Sequence, residues 1–145
     1  MIPTTVSSLS ESMAAQDYVL SEGLAVSLFL ALRRSRPLFL EGEAGVGKTE
    51  VAKTLAALLD RRLIRLQCYE GLDVTTAVYE WNYARQMIEI RMSEAVKSAD
   101  RSSLESEIFN DSFLIKRPLL QALEIDPSGP PVLLIDELDR TDEPF

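Results

Sequence analysis

The sequence predicts an α/β domain built around a parallel sheet. Three apolar runs, residues 37–41, 63–67 and 132–135, have the length and composition of buried strands. Segments with the apolar spacing of helices lie between these runs, and a glycine-rich loop, residues 42–49, joins the first run to a helical segment. This alternation of strands and helices is typical of a parallel sheet with helices on its faces.

The composition is that of a folded domain, and it excludes several kinds of chemistry. Of the 145 residues, 46% are hydrophobic, and 15 Lys and Arg against 23 Asp and Glu give a net charge of −8. The chain has no histidine, which excludes Ser-His-Asp catalysis and histidine-bound zinc within it. The single cysteine, Cys68, excludes an internal disulfide. The acidic balance argues against sequence-independent binding to nucleic acid.

The sequence also argues against a membrane span and against secretion. No window reaches the roughly 18 apolar residues that a membrane-spanning helix needs. The first residues lack the basic segment and the apolar core of a secretion signal. A lone cysteine fits a reducing compartment. We therefore expect a cytoplasmic protein.

The N-terminal region is predicted to contain a leader followed by a helix. Its first twelve residues are rich in serine and threonine, and we expect residues 1–16 to form a flexible leader. A helix begins after Ser21, which can cap it, and leucines then recur at four-residue spacing. The arginines at its end complement the helix dipole. A basic phosphate-binding patch is the alternative for Arg33, Arg34 and Arg36.

The elements after the glycine-rich loop are predicted from the spacing of apolar residues and from the positions of proline and glycine. In chain order they are a helix over 48–60, a strand over 63–67, a long helix over 73–96, a polar surface excursion over 97–112, a short helix over 113–123 interrupted near Pro118, a loop over 127–131 and a strand over 132–135.

The glycine-rich loop carries the most specific chemical signal. Residues 42–49 match the P-loop pattern GxxxxGK[ST], for which a plain glycine-rich turn is the alternative. The glycines let the backbone approach phosphate oxygens, and the N–H groups of the loop and of the next helix form an anion site. Lys48 would lie between the β- and γ-phosphates, and the hydroxyl of Thr49 would bind Mg²⁺. The residues predicted to bind the nucleotide here are Gly42, Glu43, Ala44, Gly45, Val46, Gly47, Lys48, Thr49 and Glu50.

The last apolar run ends in two acids and fits the Walker B pattern. The strand would carry Asp136 to the carboxyl end of the sheet, where it would hold Mg²⁺. Glu137 would accept a proton from the attacking water, with Lys48 as the second catalytic residue. An ordinary strand that ends in two acids is the alternative. The acidic pair favours ATP hydrolysis over guanine nucleotide switching, and the chain has no Asn-Lys-x-Asp element.

Four segments of the chain are similar to those of a known family. Residues 36–53, 64–73, 79–86 and 134–145 resemble MoxR-type AAA+ ATPases. The similarity is strongest to the CoxD-like branch, which is linked to maturation of molybdenum-containing carbon monoxide dehydrogenase. It covers roughly residues 17–145, apart from the polar excursion. The Walker motifs specify only a P-loop NTPase, whereas the other segments narrow the resemblance to this family.

The resemblance implies a three-layer α/β/α fold with five parallel strands in the order 5-1-4-3-2. It implies ATP with Mg²⁺, a homo-oligomeric ring that is typically a hexamer, and a chaperone-like remodelling role. A partner with a von Willebrand A domain and a metalloenzyme client would be expected. Tyr18 and Val19 lie in the segment with which family members approach the adenine.

The chain also departs from the family pattern after the Walker B residues. The family continues with strands four and five, an arginine finger and a helical lid, whereas eight residues follow Glu137 here. We therefore expect residues 17–145 to be the N-terminal part of an AAA+ module, with a gap at the centre of its sheet. The intact protein would hydrolyse ATP, whereas we expect this part alone to be inactive or weak. The alternatives are a non-hydrolysing nucleotide-binding or interaction module that is complete at this length, and a small-molecule P-loop kinase.

Overall fold

The computed structural model describes residues 2–43, 45–96 and 107–142. The chain divides into two units, each of which has its own secondary structure. In the part of the chain that the structure describes, no helix has the length and apolar character needed to cross a membrane.

The first unit comprises Met1–Gln67 and Ile125–Asp136. Its second helix confirms the prediction from the leucine spacing. It begins after Ser21, whose side chain accepts a hydrogen bond from the N–H of Leu24 at 3.4 Å. Buried residues Ala25 and Leu28 lie on its inner face. The helices of this unit are α1 (Val6–Ala14), α2 (Glu22–Arg34) and α3 (Lys48–Leu59).

The N-terminal region differs from the flexible leader that was predicted over residues 1–16. Thr5 and Ser8 form a reciprocal capping box that starts α1, so the serine- and threonine-rich composition reflects a helix cap. Leu9 and Met13 are fully buried and share one hydrophobic cluster with Leu28. The prediction was wrong because the short polar helix has only two buried side chains, too few to give a clear periodic signal.

Two parallel strands confirm the predicted strands on either side of the long excursion. Strand β1 (Leu63–Gln67) pairs in parallel with the later strand Val132–Asp136, and Gln67 lies opposite Asp136. Ile64 and Leu66 are buried, and α3 packs against both strands. In the order 5-1-4-3-2 that the resemblance implies, the second and third strands of the family lie side by side. They correspond here to the predicted strands over 63–67 and 132–135, and the observed pair matches that order.

The run at residues 37–41 is not a strand, which corrects the prediction. Leu38 and Leu40 pack against the hydrophobic cluster, but Phe39 is 73% exposed. A strand requires a hydrogen-bonded neighbour, and among the described residues none forms a ladder with this run. The apolar composition correctly indicated contact with the core but not the backbone pairing.

The second unit comprises Cys68–Glu124 and Glu137–Phe145. Its strands form an antiparallel pair in which Tyr79 lies opposite Lys116 and Trp81 opposite Leu114. Its elements are α4 (Val74–Val78), β2 (Tyr79–Trp81), α5 (Tyr83–Val96), β3 (Leu114–Lys116), α6 (Pro118–Leu123) and a 3₁₀ turn, Leu138–Arg140. The second strand of the parallel pair in the first unit, Val132–Asp136, is β4.

The predicted long helix over residues 73–96 is interrupted by β2. Asp73 caps α4, and its hydrogen bond from the N–H of Thr76, at 2.9 Å, lowers the pKa of this carboxyl below its ordinary value. After β2, the side chain of Asn82 accepts from the N–H of Arg85 at 3.0 Å and starts α5. The apolar spacing predicts one continuous helix here because the pairing of β2 with a strand more than thirty residues later leaves no local signal in the sequence.

The predicted helix over residues 113–123 is also corrected. Residues 114–116 form β3, and Pro118 occupies the first turn of α6, where its missing N–H costs no hydrogen bond. Of the predicted polar excursion over 97–112, residues 97–106 lie outside the described part of the chain. The predicted loop over 127–131 is confirmed.

Replacing Leu9 by alanine tests the packing of α1. We expect Leu9→Ala to lower the free energy of unfolding by about 2–5 kcal/mol, because a fully buried leucine leaves a cavity. Urea denaturation measures the change, and Glu11→Ala on the exposed side of the same helix is the control. Equal stabilities of the two variants would contradict the buried position of α1.

Candidate functional site

The predicted phosphate loop ends at the first turn of α3, as its motif requires. Gly45 and Gly47 have φ of 84° and 89°, in the left-handed region that residues with a Cβ rarely adopt. Gly47 is the residue before the helix, and Lys48 is its first residue. The two glycines therefore let the chain turn directly into a helix whose free N–H groups face the loop.

The side chain of Lys48 folds back over this loop. Its Nζ donates hydrogen bonds to the carbonyl oxygens of Gly42 and Glu43, both at 2.6 Å. The ammonium group is therefore held beside the loop backbone. A lysine in this position presents its charge to an anion bound in the loop.

The structure brings together the two residues predicted to bind the metal. The Oγ1 of Thr49 lies 3.5 Å from Oδ2 of Asp136, so the first turn of α3 meets the carboxyl end of β4. Asp136 is the less exposed partner of its ion pair, with its side chain 19% exposed. Hydroxyl and carboxylate oxygens suit Mg²⁺, which takes few protein ligands and completes its shell with water and phosphate oxygens. The donor set at this point therefore fits a magnesium-bound nucleotide.

Arg65 also reaches this carboxylate, and sequence reasoning missed it. Its Nε and Nη2 donate to Oδ2 of Asp136 at 3.0 and 2.6 Å. Nη2 also donates to Oε1 of Gln67 at 2.5 Å. A signal was available, because Arg65 and Gln67 have the i, i+2 spacing that places two side chains on one face of a strand.

Of the two residues predicted near the adenine, Tyr18 lies against the loop. Its hydroxyl donates to the carbonyl oxygen of Gly47 at 3.3 Å, and its ring lies 3.5 Å from where a Cβ of Gly47 would be. Val19 is 85% exposed. The adenine contact stays a prediction for both residues.

The other predicted residues are distributed as follows. Val46 is 58% exposed, and the carboxylate of Glu50 pairs with Lys53 at 2.5 Å within α3. Ala44 lies outside the described residues. Glu137 directly follows Asp136 with φ of 55° and belongs to the second unit, where its Oε2 lies 2.9 Å from Nε of Arg140.

These features define a class of protein. The glycine-rich loop leads directly into a helix, and an aspartate at the end of a strand lies beside the threonine hydroxyl in the first turn of that helix. This is the architecture of a P-loop NTPase. Residues 37–144 match the AAA domain (dynein-related subfamily), and the chain belongs to this family of AAA+ proteins. The family confirms the predicted P-loop α/β fold class, to which the helices and the parallel pair conform.

One curated relative also matches part of the chain. A stretch of 35 residues is 54% identical to cytoplasmic dynein 2 heavy chain 1 of Caenorhabditis elegans. The match covers 24% of this chain and 1% of that protein. No solved structure matches the chain.

Replacing a loop glycine by alanine tests the backbone of the site. We expect Gly47→Ala to lower the free energy of unfolding by about 1–2 kcal/mol, because its φ of 89° is unfavourable for a residue with a Cβ. Gly23→Ala makes the same change within α2, where a Cβ meets nothing within 4 Å, and should raise that free energy by up to about 1 kcal/mol. Urea denaturation gives both values. Changes of the same sign would contradict the left-handed backbone at position 47.

Proposed function

We propose that this protein binds ATP with Mg²⁺ and hydrolyses it as a member of an AAA+ ring. The observation that carries the proposal is the contact between Thr49 and Asp136, 3.5 Å apart at the N-terminus of α3. It joins the end of the phosphate loop to the end of a parallel strand, which is where α/β domains of this class bind nucleotides. Membership of the AAA family supports nucleotide binding as the activity.

The loop and Lys48 would bind the phosphates. The N–H groups of the loop and of the first turn of α3 supply partial positive charge, and Lys48 supplies a full one. At present Lys48 donates to two neutral carbonyl oxygens. A phosphate oxygen carries charge and is a stronger acceptor, so Lys48 would exchange a carbonyl for the phosphate at little cost.

Thr49 and Asp136 would hold Mg²⁺, and Glu137 would act as the base. The metal would neutralise charge on the phosphate oxygens. Glu137 directly follows Asp136 in the sequence. From this position in the sequence, we assign Glu137 as the base that accepts a proton from the attacking water.

The assembly and the client are proposed from the resemblance to MoxR-type ATPases. We infer a hexameric ring in the cytoplasm in which a neighbouring subunit supplies an arginine to the site. A partner with a von Willebrand A domain and a metalloenzyme client, such as carbon monoxide dehydrogenase, fit the CoxD-like branch. The short match to a dynein heavy chain supports the AAA+ class but not this particular role.

Removing the loop lysine tests nucleotide binding. We expect Lys48→Ala to weaken ATP affinity about 10–100-fold, since a charge-assisted hydrogen bond to phosphate contributes about 1.5–3 kcal/mol. Equilibrium titration with ATP and Mg²⁺ measures the effect. Lys53→Ala, in the same helix but paired with Glu50, is the matched control and should bind like the wild type. Equal affinities of the two variants would sink the phosphate-binding assignment.

Replacing Glu137 by glutamine tests the chemical step. In the intact ring, we expect Glu137→Gln to bind ATP normally but to release phosphate about 10²–10⁴-fold more slowly, which is the usual contribution of a general base. Asp139→Asn removes a nearby carboxylate and serves as the control. Normal phosphate release by Glu137→Gln would reject Glu137 as the base. Binding without any phosphate release by the intact wild-type protein would favour the non-hydrolysing module.

A further inference from the structure

Arg65 occupies a place at the site that neither the P-loop nor the Walker B pattern includes. It lies on β1, two residues before Gln67, and Gln67 is the register partner of Asp136. Because side chains two apart on a strand share a face, Arg65 and Gln67 reach the same side of the sheet. The parallel register thereby places an arginine within reach of the Walker B carboxylate.

The contact is specific in its geometry. Nε and Nη2 of Arg65 both converge on Oδ2 of Asp136, at 3.0 and 2.6 Å. The same oxygen lies 3.5 Å from Oγ1 of Thr49. The other carboxylate oxygen, Oδ1, takes part in none of these three contacts. The arginine therefore fixes the direction of the carboxylate through one oxygen.

Gln67 in turn fixes the guanidinium. Its Oε1 accepts from Nη2 of Arg65 at 2.5 Å, so one arginine nitrogen bridges the amide and the carboxylate. The side chain of Arg65 is 52% exposed and would otherwise move freely among rotamers. A planar guanidinium that is held by two partners can orient the carboxylate, which a flexible lysine ammonium does poorly.

We propose that Arg65 is a positioning residue that holds the carboxylate of Asp136 toward Thr49 for the binding of magnesium nucleotide. The proposal rests on the proposed function, since it assigns the orientation of a residue of that same site. Partners that orient a ligating carboxylate typically contribute 10–100-fold to metal affinity or activity. Magnesium-bound ATP carries net negative charge, so the positive charge of Arg65 does not oppose its approach.

The experiment measures ATP affinity of the purified protein with saturating Mg²⁺ and again in EDTA. We expect Arg65→Met to weaken binding about 10–100-fold with Mg²⁺ and to leave binding in EDTA unchanged. Arg65→Lys retains the charge but loses the planar fork, and we expect it to resemble Arg65→Met. Arg91→Met, at an exposed arginine of α5, is the matched control and should behave like the wild type in both conditions.

A double variant separates positioning from a general structural effect. If Arg65 acts through Asp136, then Arg65→Met adds no further loss of Mg²⁺-dependent affinity in an Asp136→Asn background. Additive losses would overturn the proposal. Should Arg65→Met fail to fold, Gln67→Leu removes only the support of the guanidinium and should shift the same affinity in the same direction, by a smaller factor.

Three other results would also overturn the proposal. Unchanged or stronger Mg²⁺-dependent binding by Arg65→Met would mean that Arg65 is neutral or competes with the metal. Equal losses with Mg²⁺ and in EDTA would mean that it contacts phosphate directly. A wild-type protein that binds no ATP in either condition would reject the proposed function itself, which distinguishes that failure from a failure of the Arg65 proposal alone.

Discussion

The parallel register of β1 and β4 is the constraint on which the rest of the site in the first unit depends. It sets Asp136 opposite Gln67, so that the carboxylate emerges where both strands end. Because α3 packs against both strands, its first turn is brought to that same end, and Thr49 meets Asp136. A one-residue slip in register would turn Asp136 to the other face of the sheet and separate these oxygens.

Two charged groups of this site, Lys48 and Asp136, differ in the charge of their hydrogen-bond partners. Lys48 contacts neutral carbonyl oxygens of its own loop, whereas Asp136 contacts the full charge of Arg65. An ammonium on carbonyl oxygens gains from exchanging them for a phosphate. A carboxylate on a guanidinium already has a charged partner, which favours retention of the contact between Arg65 and Oδ2 of Asp136. On the proposed function, the two contacts would play different parts in nucleotide binding, because the carbonyl contacts of Lys48 would be replaced and the Arg65 contact would be kept.

The sequence predicted those parts of the fold that depend on neighbouring residues. The loop, the start of α3 at Lys48 and the cap of α2 at Ser21 follow from motifs a few residues long, and the structure confirms them. The strand over residues 37–41 and the continuous helix across Tyr79–Trp81 were wrong, because strand formation depends on a partner distant in the chain. The spacing of Arg65 and Gln67 indicates that they share a face of β1, but the contact of Arg65 with Asp136 exists only once β1 and β4 are in register.

The N-terminal helix shows why a wrong prediction outside a motif can still bear on the site. The carbonyl of Met13, at the buried end of α1, accepts from the N–H of Tyr18 at 3.0 Å. The hydroxyl of Tyr18 then donates to the carbonyl of Gly47, the residue before α3. Met13 itself packs in the cluster that contains Val51 of α3. The N-terminal segment thus contacts the phosphate loop through Tyr18 and packs against α3 through Met13. It supports the backbone of the loop, a role that a flexible leader could not have.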